Sequence, residues 1–167
     1  MPKLRLVDKT EIDTAIAIIH TAKEYLREQG IEQWQLGYPD KACLEQDIAQ
    51  HKGYFLTDND TILAYLCIDY DGDPAYEQLK GAWHSDGPYV VVHRLAFTAA
   101  ARGKGMSQLI FSLVIEMSKE KGIHAFRVDT DTTNQRMLHI LKKNGFAYCG
   151  TIWFIDSEKI AFDKIFE

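Results

Sequence analysis

A strand, a glycine-rich turn and a helix follow one another directly in the segment Val90–Ser107, VVVHRLAFTAAARGKGMS. The apolar run at its start predicts a buried β-strand, and an Arg-Gly-Lys-Gly turn follows it. A helix that begins straight after such a turn leaves backbone N–H groups unpaired at the positive end of its dipole. Successive N–H groups in that arrangement bind phosphate. The segment therefore predicts a phosphate or pyrophosphate site between a strand and a helix.

The residues of the turn suit this interpretation. Gly103 and Gly105 have no side chain to keep a phosphate away from the backbone, and Arg102 and Lys104 add positive charge. Two familiar phosphate motifs do not fit. A Walker loop needs G-x-x-x-x-G-K-[ST], and a dinucleotide fingerprint needs a third glycine where this chain has Gln108. At this point the alternative is a plain surface loop with two solvated basic side chains.

Charge and cysteine content exclude several classes of protein. The chain has 167 residues and a net charge of -5, which argues against a nucleic-acid partner but leaves room for a local basic pocket. Three widely spaced cysteines predict reduced thiols, with Cys67 and Cys149 buried in strands. No apolar run reaches the ~20 residues that a membrane span needs, and nothing resembles a signal peptide. We therefore expect a cytoplasmic protein with one domain over residues 1–167 and no membrane partner.

The hydrophobic pattern predicts a mixed α/β fold. Hairpins imply antiparallel pairing and strand–helix–strand connections imply parallel pairing, so we expect one mixed, mostly antiparallel sheet of about seven strands with helices on both faces. The predicted elements are a strand at Leu4–Leu6, helices over 12–26 and from Asp40 to before Gly53, strands at Tyr54–Thr57 and Ile62–Tyr70, a short helix at Ala75–Trp83, a strand at Tyr89–Phe97, a helix from Met106 to Gly122, a strand at Ala125–Asp129, a helix at Asn134–Asn144, and strands at Phe146–Ile155 and Glu158–Phe166.

Two blocks of the chain resemble the GNAT superfamily of acyl-CoA-dependent N-acyltransferases. Arg102–Ser107 is similar to that family's pyrophosphate loop, [Q/R]-x-x-G-x-[G/A], with Ser107 where glycine or alanine is usual. Asn134–Phe146 is similar to its N-x-x-A/M…L-Y-x-x-x-G-F helix. The spacing of the blocks and the order of elements are also similar, over nearly the whole chain. The resemblance implies a GNAT-like fold and an acetyl-CoA-dependent N-acetyltransferase.

The resemblance also assigns a cofactor site. Backbone groups of Leu95, Ala96 and Phe97 would pair with the pantetheine arm of acetyl-CoA, and a backbone N–H there would face the thioester oxygen. Asn134, at the start of its helix, would reach the same arm. The pyrophosphate would lie on the loop formed by Arg102, Gly103, Lys104, Gly105, Met106 and Ser107.

Acyl transfer to an amine requires a neutral amine, a stabilised oxyanion and a proton for the thiolate. Leu141 lies where many members of the family have a tyrosine general acid, and leucine cannot donate a proton. Tyr148 is the candidate replacement, with aromatic packing as the alternative. His93 is the candidate base, because it is expected to share a strand face with Leu95 and because imidazole is the side-chain group suited to proton transfer near neutral pH. The alternative is a core histidine bonded to a backbone group.

Three other groups have expected roles near these candidates. Arg94, on the opposite strand face from His93, is expected to pair with a carboxylate. Cys149 has no histidine or basic partner in register, so a nucleophilic role for it is disfavoured. The histidines show no metal-ligand spacing, and we expect no metal.

The acceptor amine is expected to bind where the first helix and the loop after it cover the sheet. Tyr25, Trp34 and Tyr38 would form an aromatic lid, and Glu24 would attract the amine's positive charge. The alternative is that these aromatic side chains anchor the loop itself. A direct transfer to a small-molecule or peptide amine is the favoured function. A catalytically weak or inactive acyl-CoA-binding sensor or interaction module is the alternative, and the oligomeric state is open, with a homodimer as one option.

Overall fold

The computed structural model describes residues 1–154 and 157–167, and its eight strands form one mixed, mostly antiparallel sheet. The strand order is β1-β2-β3-β5-β6-β8-β7-β4, and β5 runs parallel to β6. Within the described ranges, no helix is long and apolar enough to cross a membrane. The elements are β1 (Pro2–Leu6), α1 (Ile12–Glu28), α2 (Lys41–Ala49), β2 (Gly53–Asp58), β3 (Thr61–Asp69), β4 (Lys80–Gly81), β5 (Val90–Phe97), α3 (Met106–Glu120), β6 (Ala125–Asp131), α4 (Gln135–Lys143), β7 (Ala147–Phe154) and β8 (Ser157–Ile165), with 3-10 turns at Lys9–Glu11 and Pro74–Gln78.

The predicted fold class is confirmed, and the strand count is one higher than expected. The extra strand is β4, which falls inside the helix predicted over Ala75–Trp83; that prediction was wrong beyond its first turn. Gly81 pairs with Gly150 of β7, and a Cβ atom on Gly81 would lie 2.0 Å from the carbonyl oxygen of Cys149. Only glycine permits so close an approach between β4 and β7. A helix over these residues could not pair with β7 in this way. Ile155, the predicted last residue of the strand that begins at Phe146, lies outside the described residues.

Contacts along the chain group its residues into two compact units, and unit one contains residues 1–68 and 92–113. It holds strands β1 and β2, all but the last residue of β3, and most of β5. Helix α1 follows a capping box in which the Asp8 side chain accepts from a backbone N–H and the Glu11 side chain accepts from the Asp8 N–H. The helix packs its predicted apolar stripe against the sheet. One buried apolar cluster of this unit consists of Val7, Ala15, Ile18, Ile19, Trp34, Leu44, Ile48, Phe55, Tyr65 and Ala96.

Unit two contains residues 69–91 and 114–167, with strands β6, β8, β7 and β4 and the start of β5. Helix α4 begins at an N-cap, where the Asn134 side-chain oxygen accepts from the Met137 N–H. Leu141 is the buried residue of α4 and is fully enclosed. Phe126 and Phe146 meet edge to face with ring centroids 5.1 Å apart. The Asn134–Phe146 block therefore folds as a capped helix anchored at both of its ends.

Candidate active site

Strand β5 contains a residue with left-handed backbone. Arg94 has a φ of 55°, which is uncommon for a residue other than glycine and costs about 1–3 kcal/mol. The parallel ladder between β5 and β6 pairs Val90 with Phe126 and Val91 with Arg127. The left-handed residue therefore lies shortly after the residues of β5 that pair with β6, and just before Leu95–Phe97. Strain of this kind is typical of functional sites.

Arg94 is held by a buried carboxylate on helix α2. Its Nε donates to Asp47 Oδ2 at 2.8 Å and its Nη2 to Asp47 Oδ1 at 2.5 Å, a bidentate pair. The hydroxyl of Tyr65 donates to the same carboxylate at 2.7 Å. Burial alone would lower the pKa of Arg94, but the hydrogen bonds to Asp47 raise it well above its ordinary value. The expected carboxylate partner of Arg94 is thus confirmed, and Asp47 is a residue that the sequence did not single out.

The predicted phosphate loop has the conformation that its glycines allow. Gly103 and Gly105 have φ values of 77° and 71°, and helix α3 begins at Met106 immediately after them. A Cβ atom on Gly105 would meet nothing within 4 Å, so its backbone conformation rather than crowding calls for glycine there. The loop thus presents exposed backbone beside the start of a long helix, as the sequence predicts.

Arg102 is preorganised at the edge of this loop. Its guanidinium carbon lies 3.8 Å from the centroid of the Tyr25 ring, a close cation–π contact. The Arg102 Nη2 atom is buried and has no hydrogen-bond partner among the described residues. Tyr25 was predicted to line the acceptor lid, whereas here its ring face supports a residue of the phosphate loop. A buried donor without an acceptor is costly, and an anion at this position would satisfy it.

The loop between α1 and α2 is fastened to α1. The Lys23 ammonium donates to the Pro39 carbonyl at 2.6 Å, and the Gln35 amide donates to the Lys23 carbonyl at 3.0 Å. Trp34 is 8% exposed and belongs to the core of unit one. Its burial favours the alternative in which this tryptophan anchors the loop, and its part in an aromatic lid over the acceptor stays a prediction.

The other two predicted acceptor residues have different surroundings. The Tyr38 hydroxyl accepts from Arg94 Nη1 at 2.6 Å, and the guanidinium carbon lies 5.9 Å from the Tyr38 ring centroid. Glu24 is exposed on α1. Tyr38 is therefore joined through Arg94 to the strand that carries Leu95–Phe97, and Glu24 is open to a ligand.

The candidate catalytic residues lie in different units. His93 is half-buried in unit one, next to left-handed Arg94, so the regular alternation that would place it on one face with Leu95 is interrupted. Tyr148 lies in unit two; it is 61% exposed and meets Phe162 edge to face, with centroids 6.2 Å apart. Tyr148 is thus mostly exposed, while its ring also makes the aromatic contact that the alternative predicts.

Cys149 has a histidine neighbour that its sequence spacing conceals. Its sulfur lies 3.5 Å from His84 Nδ1, so the expectation of no histidine partner was wrong. The same Nδ1 also lies 2.6 Å from Asp163 Oδ1, so the thiol shares this nitrogen with a carboxylate. Burial, with the charge of Asp163, raises the pKa of Cys149 to about 12. Because the thiolate is the nucleophile, this environment disfavours nucleophilic chemistry at Cys149.

Comparison with known proteins adds independent evidence. Residues 17–146 match a sequence model of the acetyltransferase (GNAT) family. A GNAT-family acetyltransferase from Streptococcus agalactiae is 30% identical, with a TM-score of 0.90 over 99% of this chain and 96% of that one. One from Listeria monocytogenes is 16% identical, with a TM-score of 0.78 over 98% and 94%. The aminoglycoside acetyltransferase AAC(6')-Ib, crystallised with coenzyme A and kanamycin, is 16% identical, with a TM-score of 0.64 over 99% and 95%. The search among curated proteins found no match.

Proposed function

The chain belongs to the GNAT acetyltransferase family, and we propose that it transfers an acetyl group from acetyl-CoA to a primary amine by direct attack. One observation carries the cofactor half of this proposal. Arg102 holds a buried, unsatisfied Nη2 donor beside a loop with two left-handed glycines and the first turn of α3. Such a group of donors suits the pyrophosphate of coenzyme A. AAC(6')-Ib, which shares the fold, was crystallised with coenzyme A.

Different segments of this chain would bind different parts of acetyl-CoA. The loop Arg102–Ser107 would hold the pyrophosphate, and backbone groups of Leu95, Ala96 and Phe97 would hold the pantetheine arm. Acetyl-CoA would supply the acetyl group as an activated thioester. The left-handed turn at Arg94 sets the direction in which the backbone groups after it point, and the Asp47 pair fixes that turn. Asn134 is assigned to the pantetheine arm on the family resemblance alone.

Proton transfer is assigned to two side chains. His93 would take a proton from the attacking amine, directly or through a water molecule, because imidazole titrates near neutral pH. Tyr148 would return a proton to the leaving thiolate, and the exposure of this residue supports the role. Leu141 cannot perform it, since its side chain is apolar and enclosed.

The acceptor is an amine of a small molecule or a peptide. Tyr38 and Glu24 are the residues that we assign to it, with Glu24 supplying a negative charge for a cationic amine. Kanamycin, a ligand of AAC(6')-Ib, carries several amines and supports this class of acceptor. The three cysteines are free, which favours a reducing compartment such as the cytoplasm.

Coenzyme A binding and turnover test the two halves separately. Calorimetry with coenzyme A should give saturable binding that Arg102→Ala weakens by roughly tenfold or more, since a charge-assisted contact is worth about 1.5–3 kcal/mol. Arg27→Ala, which removes an exposed arginine from α1, should leave the affinity unchanged. Equal effects of the two substitutions would contradict the loop assignment.

A panel of amines with acetyl-CoA then distinguishes an enzyme from a sensor. Release of free coenzyme A that depends on an added amine supports acetyl transfer. Saturable binding of coenzyme A without turnover on polyamines, aminoglycosides or lysine peptides would instead favour the acyl-CoA sensor. The buried leucine at position 141, where many relatives have a tyrosine, is the observation behind that second candidate.

A further inference from the structure

Three side chains of metal-binding type converge in unit two. His84, Cys149 and Asp163 each present one ligand atom, and these atoms all lie within 4.8 Å of one another. Cys149 and Asp163 are buried, whereas the His84 side chain is 49% exposed. The group therefore combines a sulfur, a nitrogen and an oxygen at the edge of the protein, with one open side.

The fold brings the three residues together from distant parts of the sequence. Cys149 is the bulged residue of β7, because Tyr148 pairs with Phe162 and Gly150 with Ala161 of β8, which leaves it without an opposite residue. Asp163 follows on β8. The Ala82 N–H donates to the Cys149 carbonyl at 3.0 Å, which brings the segment carrying His84 against the bulge.

We propose that His84 Nδ1, Cys149 Sγ and Asp163 Oδ1 form a binding site for a zinc ion. Tetrahedral zinc with ordinary bond lengths holds sulfur and nitrogen ligands about 3.6 Å apart and nitrogen and oxygen ligands about 3.4 Å apart. The sulfur–nitrogen distance is 3.5 Å, which matches. The nitrogen–oxygen distance is 2.6 Å, so the His84 ring must retreat by less than 1 Å, toward its exposed side.

The ligand chemistry selects the class of metal. Thiolate and imidazole are ligands of zinc and similar transition metals, whereas calcium and magnesium require oxygen ligands. One neutral imidazole, one thiolate and one carboxylate balance the charge of a divalent ion. Arg127 is a cation close enough to act on the thiol, and its side chain is engaged elsewhere: its Nη2 donates to the Ser85 carbonyl at 2.7 Å and its guanidinium stacks on Trp83 and Tyr89.

The surroundings also orient a ligand. The backbone N–H of His84 donates to Asp163 Oδ2 at 2.7 Å, which leaves Oδ1 as the oxygen turned toward the other two ligands. Hydrogen bonds to the second oxygen of a ligating carboxylate are typical of metal sites. With three protein ligands and exposure at His84, a water molecule would complete the tetrahedron. A bound ion would join the segment after β4 to strands β7 and β8.

Cobalt(II) provides a direct test, because its tetrahedral thiolate complexes absorb in the near ultraviolet and visible. The purified chain, treated with a chelator and then titrated with cobalt(II), should show a sulfur-to-cobalt band at one ion per chain, and zinc(II) should abolish it. Cys149→Ser should remove the band, while Cys43→Ser, which changes a cysteine outside the group, should retain it. No band in the unaltered chain, or a band that survives Cys149→Ser, would overturn the proposal.

A second variant guards against a loss of folding. His84→Asn changes an exposed side chain, and His139→Asn changes an exposed histidine on α4 as its control. Zinc competition with a chromophoric chelator should give an affinity that His84→Asn weakens at least tenfold, and His139→Asn should leave it unchanged. Equal affinity in the two variants, with unaltered circular dichroism, would refute the role of His84. Because the readout is metal binding, the result does not depend on the acetyltransferase proposal.

Discussion

The guanidinium of Arg94 and the carboxylate of Asp47 form a two-pronged pair that ties the left-handed residue of β5 to helix α2. Both side chains are largely buried, with 13% and 6% of their surfaces exposed. Through Nη1, the same guanidinium reaches the Tyr38 hydroxyl. One arginine thus fixes a strand that we assign to the cofactor and a tyrosine that we assign to the acceptor.

Asp47→Asn should destabilise the protein by about 3 kcal/mol or more, because removal of one partner leaves a buried guanidinium without its counter-charge. Urea denaturation should report this as a lower free energy of unfolding at an unchanged slope. Glu45→Gln, an exposed change on the same helix, should stay within about 0.5 kcal/mol of the parent. Similar stabilities for the two variants would show that the Arg94 charge needs no partner there.

Tyr25 should affect coenzyme A binding through its ring and not through its hydroxyl. Tyr25→Phe keeps the aromatic face under Arg102, so we expect coenzyme A affinity within about twofold of the parent. Tyr25→Ala removes a cation–π contact worth about 0.5–2 kcal/mol, which corresponds to a loss of roughly two- to thirtyfold. Calorimetric titration of both variants separates the roles. A strong loss in Tyr25→Phe would assign the effect to the hydroxyl instead.

Local sequence patterns predict much of the fold, but they do not predict contacts between residues that are far apart in the sequence. The apolar stripe of α1 and the glycine turn before α3 depend on neighbouring residues, so periodicity and turn chemistry predict both. Strand β4 exists because Gly81 meets Gly150, and His84 meets Cys149 across 65 positions of the chain. No rule based on sequence spacing predicts such contacts.

The same distinction applies to the candidate site. The phosphate loop was found because its donors are consecutive in the sequence. Asp47 was not predicted, because an isolated aspartate on a short helix is typical of a protein surface, and its arginine lies 47 positions away in the sequence. Trp34 likewise combines a positive φ with a buried side chain, and no local sequence pattern predicts either feature.

Asp131 should make the free energy of unfolding of unit two depend on pH in the acidic range. Burial alone would raise its pKa, but the N–H and hydroxyl of Thr133 and the ammonium of Lys159 hold the pKa below its ordinary value of 3.8. A carboxyl whose folded pKa is depressed contributes stability that is present above its unfolded pKa and lost as pH falls through the folded pKa.

Asp131→Asn should therefore cost about 2 kcal/mol at pH 7, and the gap between variant and parent should close progressively below about pH 4. Urea unfolding at pH 7, 5, 4 and 3 measures it. Asp86→Asn, at an exposed turn, provides a control whose gap should stay near zero throughout. A gap for Asp131→Asn that remains constant down to pH 3 would show that its ionised form has no special stabilisation.

Gly81 and Gly150, which face each other where β4 pairs with β7, should tolerate no side chain. The bulge at Cys149 lies next to Gly150, so a substitution of Gly150 should also affect metal binding. A Cβ atom on Gly150 would lie 2.2 Å from the Lys80 carbonyl oxygen, at a φ of 147°. Gly150→Ala must therefore separate the strands, and we expect a loss of about 3 kcal/mol or more. Gly30→Ala shares the positive φ but meets nothing within 4 Å, so only the backbone term of about 1 kcal/mol should remain.

Thermal denaturation of both alanine variants, followed by circular dichroism, measures this contrast. Separation of β4 from β7 also moves His84 relative to Cys149, since the Ala82 N–H no longer holds the Cys149 carbonyl. Gly150→Ala should then lose the cobalt(II) thiolate band at temperatures where it remains folded, and Gly30→Ala should keep it. Equal melting temperatures for the two variants would mean that β4 detaches from β7 at little cost.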